Sequence, residues 1–186
     1  MRLDRPRIPP LAAEAWDGEL DKIREGATEG GRQPPANVIA TLAQHPKLLK
    51  RWMVFANHVL AKSSLPMREK ELLILRVGWL CRAGYEWGQH VRIGRRAGLT
   101  DEEIGRIPKG PDAPGWSELD RLLLRAADEL HTDAFVSDAT WSALAERYDT
   151  RQLMDLVFTV GQYHLVSMAL NSFGVPLDAD IEGLPE

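Results

Sequence analysis

Apolar residues recur at intervals of three and four along most of the chain, the spacing that places side chains on one face of an α-helix. The segment 46–61 is a clear example, with an apolar stripe formed by Leu49, Trp52, Met53, Phe55, Ala56, Val59 and Leu60. No stretch of four or more residues alternates strictly between apolar and polar positions and is bounded by hairpin turns. The pattern therefore predicts an all-α fold, a single-domain bundle of about eight or nine helices.

Prolines, glycines and capping residues divide this pattern into separate helices. Pro46 suits a first helical turn, Thr100 and Glu103 have the spacing of a capping box, and Gly98 and Gly174 are placed to end helices. The predicted helices are 11–23, 37–45, 46–61, 66–84, 84–97, 100–107, one that begins at Ser117, 140–148 and 150–173. Residues 1–10, with prolines and charges but no periodicity, are predicted to form an extended arm, and residues 11–186 a single domain.

Composition and charge exclude several classes of function. Of the 186 residues, 44% are hydrophobic and 27% charged, as in folded globular proteins. The net charge of −4 comes without any basic block, so we expect no nucleic-acid partner. The longest apolar run, 72–81, is short and contains Arg76, so we expect no membrane span. Residues 1–11 lack the apolar segment of a secretory signal, and one cysteine cannot form an intrachain disulfide, so the expected location is the cytoplasm.

The stretch 71–90 carries the most distinctive chemistry. On a helix, Glu86 and His90 lie four residues apart on one face, and a carboxylate beside an imidazole can transfer protons near neutral pH. Glu71 shares a helical stripe with apolar positions, so we expect it to point inward and join the pair as a third catalytic residue. The purely structural alternative is that Glu86 and His90 form an exposed pair that contributes about 0.3–0.5 kcal/mol to helix stability. In that case Glu71 is a favourable charge at a helix N-terminus. The residues expected to line a substrate pocket around the pair are Trp79, Cys81, Tyr85 and Trp87.

The other reactive side chains point to no metal or cofactor. Cys81 has no second cysteine with which to cycle, and most lone cysteines in apolar helices are packing residues. The remaining histidines are scattered along the chain: His45, His58, His131 and His164. His58 and His164 lie on helices with apolar stripes and could border a pocket, but the simpler interpretation of each is a hydrogen-bonded core histidine. Because there is no HExxH motif, no His/Cys cluster and no carboxylate ladder, we predict no structural metal, and no glycine-rich phosphate loop is present either. Arg76 lies about 140° around the helix from Glu71, so we expect it to pair elsewhere, such as across a subunit boundary.

The segment 68–107, REKELLILRVGWLCRAGYEWGQHVRIGRRAGLTDEEIGRI, resembles the carboxymuconolactone decarboxylase family of the alkylhydroperoxidase D-like superfamily. Its YEW-x-x-H core is the most specific part, and looser similarity extends over most of residues 35–177. The resemblance implies an all-α fold assembled as trimers or hexamers. The peroxidase branch of that superfamily has a Glu, then a CxxC pair, then a His. Its two cysteines would fall on Ala83 and Glu86 here, so the resemblance favours the decarboxylase branch, which uses no cofactor.

Three functions follow from these expectations. The leading one is a cofactor-independent lyase-type enzyme that decarboxylates, or isomerises by proton transfer, a small carboxylated, lactone-like substrate with His90, Glu86 and Glu71. The second is a peroxidase-like antioxidant protein that uses Cys81 alone with an external thiol. The third is a non-catalytic oligomeric binding protein of the same fold, in which the three residues would lie in solvent. The six tryptophans and many apolar helix faces also predict a homo-oligomer.

Overall fold

A computed structural model describes residues 3–12, 15, 18 and 36–185 of the chain. The described residues form eight α-helices and no strand, which confirms the all-α prediction. The helices are α1 (Ala36–Leu42), α2 (Pro46–Asn57), α3 (Met67–Leu80), α4 (Gly84–Arg96), α5 (Asp101–Arg106), α6 (Glu118–Asp133), α7 (Asp138–Ala145) and α8 (Thr150–Phe173). A π-helical turn, His58–Lys62, follows α2, and a 3₁₀ turn, Ile107–Lys109, follows α5. The predicted helix 11–23 and the loop after it lie almost entirely outside the described residues.

Helix α3 is the centre of the bundle. It packs against α4, α6 and α8, and every residue from Lys70 to Gly78 is buried. Such complete burial requires polar side chains to find partners within the protein. Lys70 accordingly donates from Nζ to the Leu60 carbonyl oxygen at 2.6 Å. Helix α3 is therefore buried on all sides. The sequence had indicated only one inward stripe, the one that includes Glu71.

A tight turn reverses the chain between α3 and α4. Arg82 takes a left-handed conformation with φ +50°, and the Ala83 amide donates to the Gly78 carbonyl oxygen at 2.8 Å. The break was expected at Gly84, which is instead the first residue of α4. The turn stacks α4 on α3, so that residues early in α3 and in the middle of α4 can meet.

Several predicted helix ends differ from the structure by a few residues. Helix α1 stops at Leu42 rather than at residue 45, because the His45 side chain is used to cap α2. Helix α7 begins at Asp138 after a Ser137 cap, and ends at Ala145, two to three residues before the expected positions. The capping box of Thr100 and Glu103 is confirmed, as both of its hydrogen bonds form.

The segment after α8 folds back over the outer face of α4. Asp178 accepts hydrogen bonds from the Tyr85 hydroxyl at 2.8 Å and from Gln89 Nε2 at 2.7 Å. Gly88 permits this approach, since a Cβ atom there would lie 2.1 Å from the Glu182 carbonyl oxygen and 2.3 Å from Ile181 Cγ2. The C-terminal segment is therefore an integral part of the fold around α4.

Helix α8 is both a core helix and a source of exposed apolar surface. Among the described helices it alone is long and apolar enough to cross a membrane, but half of its most apolar stretch is buried inside the bundle. Its outer face nevertheless carries large exposed side chains, which continue onto α2: Val54, Phe55, Met154, Phe158, Leu165 and Met168. The rings of Phe55 and Phe158 meet edge to face at 5.9 Å. We call this set the α2/α8 apolar surface.

Candidate active site

Glu71, Glu86 and His90 meet between α3 and α4, beneath the turn that joins these helices. The exposed fraction of the side chain is 1% for Glu71, 6% for Glu86 and 7% for His90. Both purely structural alternatives are therefore wrong, because the Glu86–His90 pair does not lie on a solvated face and Glu71 is not a surface charge at a helix end. The non-catalytic alternative, which places these three residues in solvent, also disagrees with the structure.

The two carboxylates bind opposite edges of the imidazole ring. Glu71 Oε2 lies 2.6 Å from His90 Nδ1, and Glu86 Oε1 lies 3.0 Å from His90 Nε2. Since an ionised carboxylate only accepts hydrogen bonds, this arrangement is best satisfied when both ring nitrogens carry a proton. The Tyr163 ring closes one face of the imidazole edge-on, with the ring centroids 4.9 Å apart.

Electrostatics favour the charged form of His90. Burial alone would lower its pKa, but the charges of Glu71 and Glu86 and the hydrogen bonds that His90 donates to them outweigh burial and raise the pKa of His90 to about 10. This pKa favours the imidazolium form of His90 at neutral pH. Such a group is a proton donor and a stabiliser of negative charge rather than a base.

The aromatic residues expected around the site are divided between two locations. Trp79 and Trp87 contact each other, with ring centroids 5.8 Å apart, and belong to the main core. Tyr85 instead directs its hydroxyl to Asp178 and accepts a hydrogen bond from the Val38 amide at 3.2 Å. Burial and the Asp178 carboxylate raise the pKa of Tyr85 well above its ordinary value. The polar end of Tyr85 thus holds the C-terminal segment.

Cys81 and two histidines form a second group of reactive side chains that sequence reasoning missed. Cys81 follows the end of α3 and lies with His131 of α6 and His164 of α8, the side-chain ligand atoms all being within 4.8 Å of one another. The sequence contains no His/Cys cluster at metal-ligand spacing, and this group is formed only by the packing of the three helices. The three residues are far apart in the sequence and follow no recognisable spacing, so no local signal pointed to them.

Arg76 pairs within the chain, so the suggestion that it crosses a subunit boundary is wrong. Its guanidinium binds both carboxylate oxygens of Asp128, at 2.6 and 2.9 Å, and donates to the Ile107 carbonyl oxygen at 2.8 Å. His58 is also not a core residue. It is half-exposed and lies 3.1 Å from Asp155.

Residues 46–129 match the carboxymuconolactone decarboxylase family. Together with the AhpD-like solved structures described next, this match supports placing the chain in the carboxymuconolactone decarboxylase and AhpD-like superfamily. The matched segment contains α3 and α4, and with them Glu71, Glu86 and His90. No curated protein matches the sequence at a significant level.

Solved structures with AhpD-like folds agree with this assignment. A peroxidase-related protein with an alkylhydroperoxidase AhpD core, from Ralstonia eutropha JMP134, has a TM-score of 0.82 at 18% identity, with 94% of this chain and 93% of that chain covered. A cysteine-to-alanine variant of the debrominase Bmp8 in complex with 2,3,4-tribromopyrrole has a TM-score of 0.77 at 14% identity, with 95% and 94% covered. A putative AhpD antioxidant defence protein from Agrobacterium tumefaciens has a TM-score of 0.69 at 19% identity, with 75% and 96% covered. At these identities the likeness establishes the fold alone.

The resemblance to the peroxidase branch would place its two cysteines at Ala83 and Glu86, and neither residue carries a thiol. Ala83 is fully buried at the start of α4, and Glu86 is bonded to His90. Cys81 precedes Ala83 by two residues, but its thiol belongs to the group with His131 and His164. Cys81 therefore does not replace the missing thiols beside His90.

Two cavities of this superfamily member lie beside α8, and neither has Glu71, Glu86 or His90 in its lining. The larger, about 590 Å³, lies between the start of α4, the end of α8 and the C-terminal segment, and includes Tyr85. The smaller, about 360 Å³, lies between α1, α2 and α8 and is mostly apolar. Three buried polar atoms of residues that line it have no hydrogen-bond partner among the described residues: Thr41 Oγ1, Trp52 Nε1 and Gln162 Oε1.

Proposed function

We propose that this protein is a cofactor-independent lyase-type enzyme that decarboxylates a small carboxylated, lactone-like molecule. The observation that carries the proposal is the burial of His90 with a carboxyl group of Glu71 at one ring nitrogen and of Glu86 at the other. The match of residues 46–129 to the carboxymuconolactone decarboxylase family supports the substrate class. Catalysis of this kind needs a proton donor and a stabiliser of negative charge, and in this proposal His90 supplies both.

In the proposed mechanism, breaking the bond to the carboxylate leaves an electron pair on carbon, delocalised into an adjacent carbonyl. The His90 imidazolium stabilises that negative charge and delivers its Nε2 proton to the carbon as CO₂ departs. Glu86 shares this proton before the reaction and orients the ring. Glu71 keeps Nδ1 protonated throughout and so acts as a positioning residue. Transfer of a proton without loss of CO₂ would be an isomerisation by the same groups.

Substrate must reach the Nε2 side of His90, since Glu71 closes the other side. The Tyr163 ring packs on His90, and the residue before it on α8, Gln162, lines the smaller cavity, so we propose that substrate approaches His90 from that cavity. In our proposal the apolar lining takes the substrate ring and Arg51, which also lines the cavity, binds a carboxylate. Small movements of Tyr163 and Glu86 then bring the substrate to the proton. The prediction is that Arg51→Gln raises KM with little change in kcat.

The mechanism is tested by following CO₂ release from a panel of carboxylated lactones. We expect His90→Gln and Glu86→Gln to lower kcat/KM by about 10²–10⁴-fold, the usual contribution of a positioned acid–base group. Arg95→Gln is the matched control, because Arg95 is exposed on the same helix and pairs only with the surface residue Asp101. Turnover in His90→Gln equal to that of the parent would refute the assignment. Deuterium uptake from D₂O without CO₂ release would favour isomerisation.

A second candidate function uses Cys81, which is partly exposed and has two imidazoles beside it. Its thiolate would attack the O–O bond of a hydroperoxide, forming a sulfenic acid and releasing an alcohol. An external thiol would then condense with the sulfenic acid to a mixed disulfide and water, and a second thiol would restore Cys81. Hydroperoxide consumption that disappears in Cys81→Ser but persists in His90→Gln would support this function, and the reverse pattern would exclude it.

A further inference from the structure

Three helices bring one thiol and two imidazoles together near the surface of the bundle. Cys81 follows the end of α3, His131 lies in the last turn of α6, and His164 lies in the second half of α8. The ring nitrogens His131 Nδ1 and His164 Nε2 are 2.9 Å apart. The Cys81 Sγ atom lies within 4.8 Å of each histidine's ligand atom. Partial exposure of the group leaves it open to an ion from solution.

The contacts around the group hold it in a form that suits metal binding. His164 Nδ1 lies 2.8 Å from the Val160 carbonyl oxygen, which can only accept, so this nitrogen carries the proton. The lone pair of His164 therefore lies on Nε2, where it accepts the hydrogen bond from His131 Nδ1. A bound ion takes the place of that proton, and His131 then carries its proton on Nε2. A histidine that binds a metal usually has this kind of backbone partner on its other nitrogen. The backbone of Cys81 is fixed as well, since its carbonyl oxygen accepts from Asn171 Nδ2 at 2.9 Å.

The charge balance is also favourable. Metal ligands must be neutral imidazoles and a thiolate. The nearby Asp128 carboxylate is bound by Arg76 through both of its oxygens, at 2.6 and 2.9 Å. Asp128 is therefore not free to bind the ion in place of the thiolate.

We propose that Cys81, His131 and His164 form a binding site for a borderline divalent ion, Zn²⁺ by preference, with the fourth position open to water. Thiolate and imidazole ligands together select Zn²⁺ over hard cations such as Mg²⁺ and Ca²⁺. A tetrahedral ion with Zn–N near 2.0–2.1 Å and Zn–S near 2.3 Å places its ligand atoms about 3.3–3.6 Å apart. To reach these values the two ring nitrogens, 2.9 Å apart, must separate slightly, and the longer separations, which are at most 4.8 Å, must shorten by up to about 1.5 Å.

The expected role of the ion is to tie α3, α6 and α8 together. Because it binds the folded state and uses ligands from three separate segments, it raises the melting temperature, and the rise grows with the logarithm of the free Zn²⁺ concentration above the Kd. Bound Cys81 is also unavailable as a nucleophile. The site is separate from Glu71, Glu86 and His90, so metal binding does not depend on the proposed decarboxylase chemistry.

The test is a titration of the untagged full-length chain with Co²⁺ and then Zn²⁺. We expect binding of one Co²⁺ per chain, with visible d–d bands and a thiolate-to-cobalt charge-transfer band, and loss of both bands when Zn²⁺ displaces the Co²⁺. Zn²⁺ should slow labelling of Cys81 by a thiol reagent at least tenfold. Substitution of any one ligand should weaken Zn²⁺ binding by 10²-fold or more: Cys81→Ser, His131→Ala or His164→Ala.

Control variants separate this site from the rest of the molecule. His58→Ala removes a half-exposed histidine that pairs with Asp155, and it should bind Zn²⁺ as tightly as the parent. His90→Gln should also bind normally, whatever its effect on turnover. The absence of a charge-transfer band, or Zn²⁺ affinity that is unchanged in Cys81→Ser, would overturn the proposal. Changed affinity in the His58→Ala control would do the same, because it would indicate adventitious binding at surface histidines.

Discussion

His90 should make the stability of the protein fall as the pH rises above neutrality. Its pKa in the folded state, about 10, lies above the value near 6.5 expected in the unfolded chain. The folded state therefore binds the proton more tightly, and the stabilisation is fully present below about pH 6.5. As the pH rises, the unfolded chain releases this proton first, and the stabilisation is lost up to about pH 10. The cause is the pair of buried carboxylates that His90 bridges.

The size of the effect follows from the same two pKa values. Each pKa unit corresponds to about 1.4 kcal/mol, so a rise from pH 6.5 to 9 should remove about 3 kcal/mol from the free energy of unfolding. That is a large fraction of the ~5–15 kcal/mol that stabilises a typical domain. In His90→Gln the group that titrates is absent, so the free energy of unfolding should vary much less over this range.

Urea denaturation at pH 6.5, 7.5, 8.5 and 9 measures the difference. The comparison of parent and variant cancels groups that titrate in both, including the tyrosines whose pKa values are raised. Glu71→Gln supplies a second variant that keeps the imidazole but removes the carboxylate with the shorter contact to it, and it should flatten the pH dependence in part. Parallel curves for the parent and His90→Gln would refute the reasoning, because they would mean that His90 has the same pKa in both states.

Three further substitutions test other parts of the structure. Arg76→Met leaves the Asp128 carboxylate without its bidentate partner and should cost about 3–5 kcal/mol in urea denaturation, whereas a cost below 1 kcal/mol would contradict the assigned pair. Gly88→Ala forces a Cβ atom into the Glu182 carbonyl, so hydrogen exchange in residues 178–185 should rise while the rest of the bundle stays protected. Phe158→Asp places a charge on the α2/α8 apolar surface, and if this surface joins copies of the chain, sedimentation should show a trimer or hexamer for the parent and smaller species for the variant. A monomeric parent would refute that assembly.

The part of the structure that sequence could predict is the part set by local spacing. Helical periodicity located α3, α4 and α8, and the capping-box spacing located the start of α5. Glu86 and His90 were predicted to meet because they lie four residues apart on one helix. Glu71 was predicted to join them because it lies on a helical stripe with apolar residues. The turn at 81–83 brings it to the same imidazole.

Contacts between segments that are far apart in the chain could not be predicted from the sequence. His131 and His164 lie 33 residues apart on helices whose relative rotation depends on the packing of the whole bundle, so their approach to Cys81 follows no motif. The partner of Tyr85 is 93 residues away, in a segment with no periodicity at all. Complete burial also limits what the sequence can predict. Helix α3 is covered on every side, so its sequence has no amphipathic pattern that distinguishes inward from outward acids.

The replacement at residue 86 explains how one fold could serve two chemistries. If the resemblance to the peroxidase branch holds, Glu86 occupies the place of the cysteine four residues before the histidine. A thiolate beside His90 and a carboxylate beside His90 impose the same charge pattern, an anion stabilising an imidazolium, so the exchange preserves the electrostatics of the site. A carboxylate, however, cannot form a disulfide or reduce a peroxide, and it is a better acceptor for a shared proton. The exchange therefore removes electron transfer and keeps proton transfer, which is the chemistry that the proposed decarboxylation requires. Glu86→Cys tests this directly: it should abolish CO₂ release while leaving the pKa of His90 raised.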